Sequence, residues 1–112
     1  MLGYQVSLGR VHDRIRIREG SDTLVLTVDS DPMRLTAGLS QAQQMLQELE
    51  GEEPEKQRAA ALYFAGVIFK EEQANKLMDF YLGDAICVIN VCGRYFAERL
   101  SKKIIAAQKK RK

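Results

Sequence analysis

Only one histidine, His12, occurs in the 112 residues, so no histidine-based metal cluster can form and a lone acid–base imidazole has no evident partners. The two cysteines, Cys87 and Cys92, match neither a CxxC pair nor a zinc spacing. Five residues apart on one helix they point about 140° from each other, which rules out a bridge without melting the helix. A reduced, intracellular setting follows as the expectation. No apolar run approaches the roughly 18 residues of a membrane span, and "MLGYQVSLGRVHDR" lacks the apolar stretch of a signal peptide. The expected location is cytoplasmic, with no membrane contact. The eight glycines are too dispersed to cradle phosphates, and neither Ser7 nor Ser40 lies in a G-x-S-x-G context. Carboxylates are plentiful, but the adjacent Glu71 and Glu72 sit where acidic residues stabilise a first helical turn. Glu72 and Lys76 also form a favourable i,i+4 pair. Nothing in the pattern specifies an enzyme, a cofactor or a metal site.

The net charge of +2 conceals a division. Residues 1–100 carry 11 Lys/Arg against 15 Asp/Glu, while "SKKIIAAQKKRK" adds six positive charges and no negative one. Five glutamates crowd into "ELEGEEPE", residues 48 to 55. The body is acidic and the end basic. Lys102, Lys103, Lys109, Lys110, Arg111 and Lys112 form a candidate basic tail able to neutralise several phosphates. The same charges suit an acidic protein partner or a neighbouring copy's glutamate corner. Aromatic residues are not interleaved with the lysines, and no helix-turn-helix is recognisable.

The length fits one domain over 1–112, with strands in 1–30, a helical part in 31–108 and the basic tail in 109–112. Residues 1–30 alternate at period two. Tyr4, Val6 and Leu8 share one parity, Ile15 and Ile17 alternate with Arg14, Arg16 and Arg18, and Leu24, Leu26 and Val28 follow. With "EGSD" as the turn, this predicts a hairpin from about 11–18 and 23–29, with residues 3–8 as a third strand of a meander. The arginines would line its solvent face or grip an anion. From residue 30 the period becomes helical. Leu35, Leu39, Ala42, Leu46 and Leu49 mark a helix over 31–50, capped by Ser30 or Asp31 before Pro32 and stopped by Gly51. "KQRAAALYFAGVIF" is apolar on nearly every face and belongs at the centre of its domain or under a partner. "EEQANKLMDFYLGD" carries one stripe and ends at Gly83. Asp84 then caps a last helix whose apolar face is Ala85, Val88, Ile89, Cys92, Phe96 and Leu100, continuing through Ile104 and Ile105. Gly93 inside that helix costs about 1 kcal/mol unless something packs close to it. The fold class is α+β: an N-terminal hairpin or meander followed by about four helices.

The stretches "IFKEEQANKL", "FYLGD" and "VINVCGRYFAERLSKKI", with the lysine-rich end, together resemble small proteins from the tail-morphogenesis region of phages and prophages of Gram-positive bacteria, the tail assembly chaperones. The resemblance covers residues 62 to 110. It implies a non-enzymatic partner of the tape-measure protein, acting in the bacterial host cell, or a self-associating protein. Tyr63, Phe64, Val67, Phe80 and Tyr81 are the candidate contact residues. Where that pattern expects a glycine before the acidic pair, this chain has Lys70. One helix from 56 to 82 is then an alternative to two. The competing reading is a small nucleic-acid-associated regulator that uses the basic tail.

Overall fold

The computed structural model describes residues 9–49, 51 and 53–110. Strands β1 (Val11–Glu19) and β2 (Asp22–Ser30) pair antiparallel, with Val11 opposite Ser30 and Glu19 opposite Asp22. Gly20 and Ser21 alone connect them. Gly20 has φ +61, the left-handed first position of a type II′ turn, whose twist matches that of the strands. The hairpin is one residue longer at three of its four ends than the alternation suggests. The suggested third strand, residues 3–8, lies outside the described residues. Val11, Ile15, Leu26 and Val28 are buried, while His12, Arg14, Arg16 and Arg18 face outward as the alternation requires.

Helix α1 (Pro32–Gln47) opens on Asp31, whose Oδ1 accepts the N–H groups of Met33 at 2.8 Å and Arg34 at 3.3 Å. It stops three residues before the expected 50. Helix α2 (Pro54–Phe69) is central, burying Ala60, Ala61, Phe64, Ala65, Ile68 and Phe69. The two helices approach closely at Gly38. A Cβ there would lie 2.6 Å from Cγ1 of Val67, so the contact tolerates only glycine without displacing a stiff β-branched side chain.

The chain then breaks, and two helices form rather than one over 56–82. Helix α3 (Glu71–Phe80) starts after Lys70, which has φ 73 and ψ 164, a region populated almost only by glycine. The glycine-like conformation is therefore present where the residue is lysine. The Lys70 N–H closes α2 on the Gly66 carbonyl at 2.9 Å, and the Lys70 carbonyl accepts the Ala74 N–H at 2.9 Å. Gln73 holds the corner. Its Nε2 donates to the carbonyls of Phe69 at 2.8 Å and Thr27 at 2.7 Å, while its Oε1 accepts the Thr27 N–H at 2.9 Å. One carboxamide thus satisfies an end carbonyl of α2 and pairs with the edge of β2 as a strand would.

Gly83, at φ +82, ends α3 by donating its N–H to the Met78 carbonyl at 2.9 Å. Asp84 caps the next helix by accepting the Cys87 N–H at 3.1 Å. That last helix runs without interruption through α4 (Ala85–Tyr95), a π-helical turn (Phe96–Leu100) and α5 (Ser101–Lys110). It continues through 109 and 110, placed in the tail by the sequence reading. Its buried residues are Ala85, Val88, Cys92 and Tyr95, then Leu100, Ile104 and Ala107. The steps are three or four residues throughout, except for five between Tyr95 and Leu100. An α-helix would turn Leu100 about 140° away from Tyr95, and the wider π turn absorbs the extra residue. Phe96, expected in the core, is 36% exposed, and Tyr95 takes its place.

Tyr95 also reaches a polar group. Asp13 occupies a core-facing position of β1, between Val11 and Ile15, and its side chain is only 5% exposed. Tyr95 Oη donates to Asp13 Oδ2 at 2.7 Å, Arg99 Nη2 donates to Oδ1, and Lys103 Nζ stands 3.8 Å from Oδ1. The Arg14 N–H completes the set at 2.9 Å. Tyr95 stacks on Phe69 with ring centroids 5.8 Å apart, so β1, α2 and the last helix meet there. Burial, and then the bond to Asp13, push the Tyr95 phenol above its usual range.

The Lys70 backbone yields a prediction with a sign. Lys70→Gly relieves a conformation costing about 1–3 kcal/mol and raises the urea midpoint. If residues 56–82 were one helix, the same change would lower stability by about 1 kcal/mol.

Candidate functional site

An apolar groove of about 890 Å³ runs between α1 and the C-terminal helix. Leu39 and Leu46 of α1 form one wall, and Ile89, Phe96, Ile104 and Ile105 form the other. Phe64 of α2 is its floor. Ser40, Gln43, Asn90, Arg94 and Gln108 supply polar groups along the rim. Arg94 is held by Glu98 one turn on, Nε to Oε1 at 3.1 Å.

The local sequence explains why this face stays apolar yet open. Ile104 and Ile105 are neighbours, as are Val88 and Ile89, and adjacent helix positions stand about 100° apart. Val88 enters the core while Ile89 faces the groove, and Ile104 is buried at the groove's inner edge while Ile105 stands half-exposed in its wall. Phe96, seven residues after Ile89, falls on the same helix face and so lines the groove with it. Gly93 lies in the same wall, and nothing comes within 4 Å of where its Cβ would be. No close packing requires a glycine there, and its missing side chain leaves the groove open at mid-length. Ile105 is 52% exposed.

The five proposed contact residues do not share one surface. Phe64, 7% exposed, belongs to the groove floor. Tyr63 and Val67 line a separate, shallower concavity of about 450 Å³ between α2 and α3, beside Leu62, Ala74 and Glu71. Phe80 and Tyr81 stand at the end of α3, edge to face at 5.2 Å. The Tyr81 hydroxyl donates to Glu19 Oε1 at 3.0 Å, and burial followed by that bond pushes the phenol up to about 12. Leu39, Ile89, Phe96 and Ile105 line the groove; the sequence pattern places them on apolar helix faces but not among the contact residues. For Ile89 and Ile105 the doubled apolar pairs were the available signal.

The basic residues divide as well. Lys103 turns to Asp13. Lys102 and Lys109 stand three residues before and four after Ile105, which puts them on the outer lip of the groove. Lys110 is exposed at the helix end, and Arg111 and Lys112 lie outside the described residues.

Neither thiol is poised for chemistry. Burial pushes Cys92 up to about 12, and the Asp84 carboxylate beside Cys87 holds that thiol above its usual value. Glu72 pairs with Lys76 at 3.9 Å, the i,i+4 contact anticipated from the spacing. Among the described residues, no group of three His, Cys, Asp or Glu side chains is placed to hold a metal ion. No helix among them is long and apolar enough to cross a membrane. The chemistry this groove offers is non-covalent: apolar burial with a polar, partly cationic rim.

Gly93→Ala should raise stability by about 1 kcal/mol, read as a higher thermal midpoint, because a helix interior gains and nothing is displaced. A loss of stability would show that the groove is closed at that point. Comparison of the chain with protein-family models, with curated proteins and with solved structures finds no match.

Proposed function

We propose that the protein is a non-enzymatic, tail-assembly-chaperone-like protein that receives an amphipathic helix of a tape-measure or other tail protein, in the cytoplasm of the bacterial host cell. The groove between α1 and the C-terminal helix carries this reading. Its length follows two helices, its walls are aliphatic and aromatic, and its rim is polar, the form that accepts anchors at i, i+3, i+4 and i+7. Lys102 and Lys109 on the lip favour a partner helix with acidic flanks. The family resemblance of residues 62 to 110 supports the same role.

Energetics suit a transient partner. Each well-buried aliphatic anchor contributes roughly 1.5–3 kcal/mol. The loss of rigid-body freedom and the ordering of side chains offset several kcal/mol of that sum. A few anchors therefore give reversible association, as a chaperone that must release its client requires.

Co-expression with the tape-measure protein that the proposal expects beside its gene provides the test. The account expects a co-purifying complex and a larger soluble fraction of the tape measure. Ile105→Asp, at a half-exposed position, should abolish both while leaving the fold intact by circular dichroism. No complex and no gain in solubility with the unaltered chain would overturn the proposal.

A further inference from the structure

A second surface is independent of the groove, and its character is cationic. Arg14, Arg16 and Arg18 occupy successive outward positions of β1 and are exposed. Outward positions on one strand repeat at about 6.8 Å, so the three guanidinium groups form a straight row. Their cross-strand neighbours are Thr27, Val25 and Thr23, none of them acidic. The outward carboxylate of β2, Asp29, is already engaged by Arg10 at 2.9 Å, with His12 at 3.5 Å. Glu19 and Asp22 at the hairpin tip have the opposite parity, and Glu19 accepts the Tyr81 hydroxyl. The acids of this hairpin are thus paired or turned to the other face, and the outward face presents guanidinium donors.

Behind that row, on the core-facing side of β1, the helix cations are already engaged by Asp13. Arg99 and Lys103 reach Asp13 from α5 and the π turn, which lays this side of the helix along β1. Both remain partly exposed, with donors to spare. Glu48 follows α1, which is 16 residues and therefore about 24 Å long, so it lies well away from the Ser30 end of β2.

We propose that the hairpin is a double-stranded DNA-binding ribbon. Its outward face, with Arg14, Arg16 and Arg18, sits in the major groove. A B-form major groove, about 12 Å wide, admits a two-stranded β-ribbon, and arginine is the side chain best suited to guanine edges and phosphate oxygens. Thr23 and Val25 offer a hydroxyl and an apolar contact between the arginines. The outward face of β1 and β2 has no Phe, Tyr or Trp, and its single ring, His12, stands beside Asp29, so it lacks the run of stacking rings that single strands need. The deep, narrow major groove of A-form RNA excludes a ribbon. The chemistry therefore favours duplex DNA.

Anisotropy titration of the full chain with a labelled 20-base-pair duplex, from 50 to 200 mM salt, tests this. Binding should weaken with a log–log salt slope of about −3, as neutralisation of about three phosphates by the arginine row implies. R14Q/R16Q/R18Q should weaken binding at 50 mM salt by roughly 30-fold or more and flatten the slope by about 2 to 3. Should the triple variant lose its circular dichroism signal, Arg16→Gln alone should flatten the slope by about 1. K102Q/K109Q, which alters only the lip of the apolar groove, should change affinity by less than about threefold. The proposal is overturned by absence of binding at 50 mM salt, by arginine variants that bind like the unaltered chain, or by equal affinity for a single-stranded oligonucleotide or anionic vesicles.

Discussion

The carboxylate of Asp13 projects from the core-facing side of β1, and Tyr95, Arg99 and Lys103 come to it from successive turns of the last helix. A carboxylate only 5% exposed is costly without partners, by several kcal/mol, so its donors are not interchangeable ornaments of the surface. They fix both the height and the rotation of the helix. The spacing of the three residues is four and four, which meets Asp13 along one line of the helix. The apolar stripe has its own spacing, with the five-residue step between Tyr95 and Leu100. Both sets cannot face inward on an unbroken α-helix, and the π turn between them reconciles the two.

The groove follows from that compromise. With Leu100, Ile104 and Ala107 turned to the core, Phe96 and Ile105 are left on the side of α1, where Leu39 and Leu46 face them. The same rotation separates the lysines, sending Lys103 to the hairpin and Lys102 and Lys109 to the groove lip. One polar contact thus fixes the rotation that leaves an apolar channel on the α1 side of the helix, while the arginine row on the far face of β1 follows from strand alternation alone. The two surfaces share a scaffold and no residue.

Much of the scaffold was legible in local patterns. The alternation at 11–18 and 23–29, the caps at Asp31 and Asp84 and the stop at Gly83 depend on neighbours within a few residues. The break at Lys70 was only half legible. The acidic pair marked it, but Gln73 secures it through Thr27, 46 residues away, and no short window contains that bond. Asp13 shares parity with Val11, Ile15 and Ile17. Attention to the arginines of the opposite parity hid a carboxylate on the core face, a position that demands partners. Phe96 was misplaced because the apolar face of its helix is wider than the core covers: Val88 and Cys92 fill the core side, and Ile89 and Phe96 are left to the groove. Of the proposed contact aromatics only Phe64 reaches the groove. Hydrophobicity alone selects core and binding residues alike, and the burial that separates them is a property of the assembled fold.

Amide hydrogen exchange of the Asp13→Asn protein is the most direct measure of the claim that Asp13 docks the last helix. The change keeps size and removes the charge that Arg99 and Lys103 share. The account predicts that amides of 96–110 lose protection by about 10-fold or more, while those of α2 change far less. Unchanged protection in 96–110, or an equal loss in α2, would contradict it.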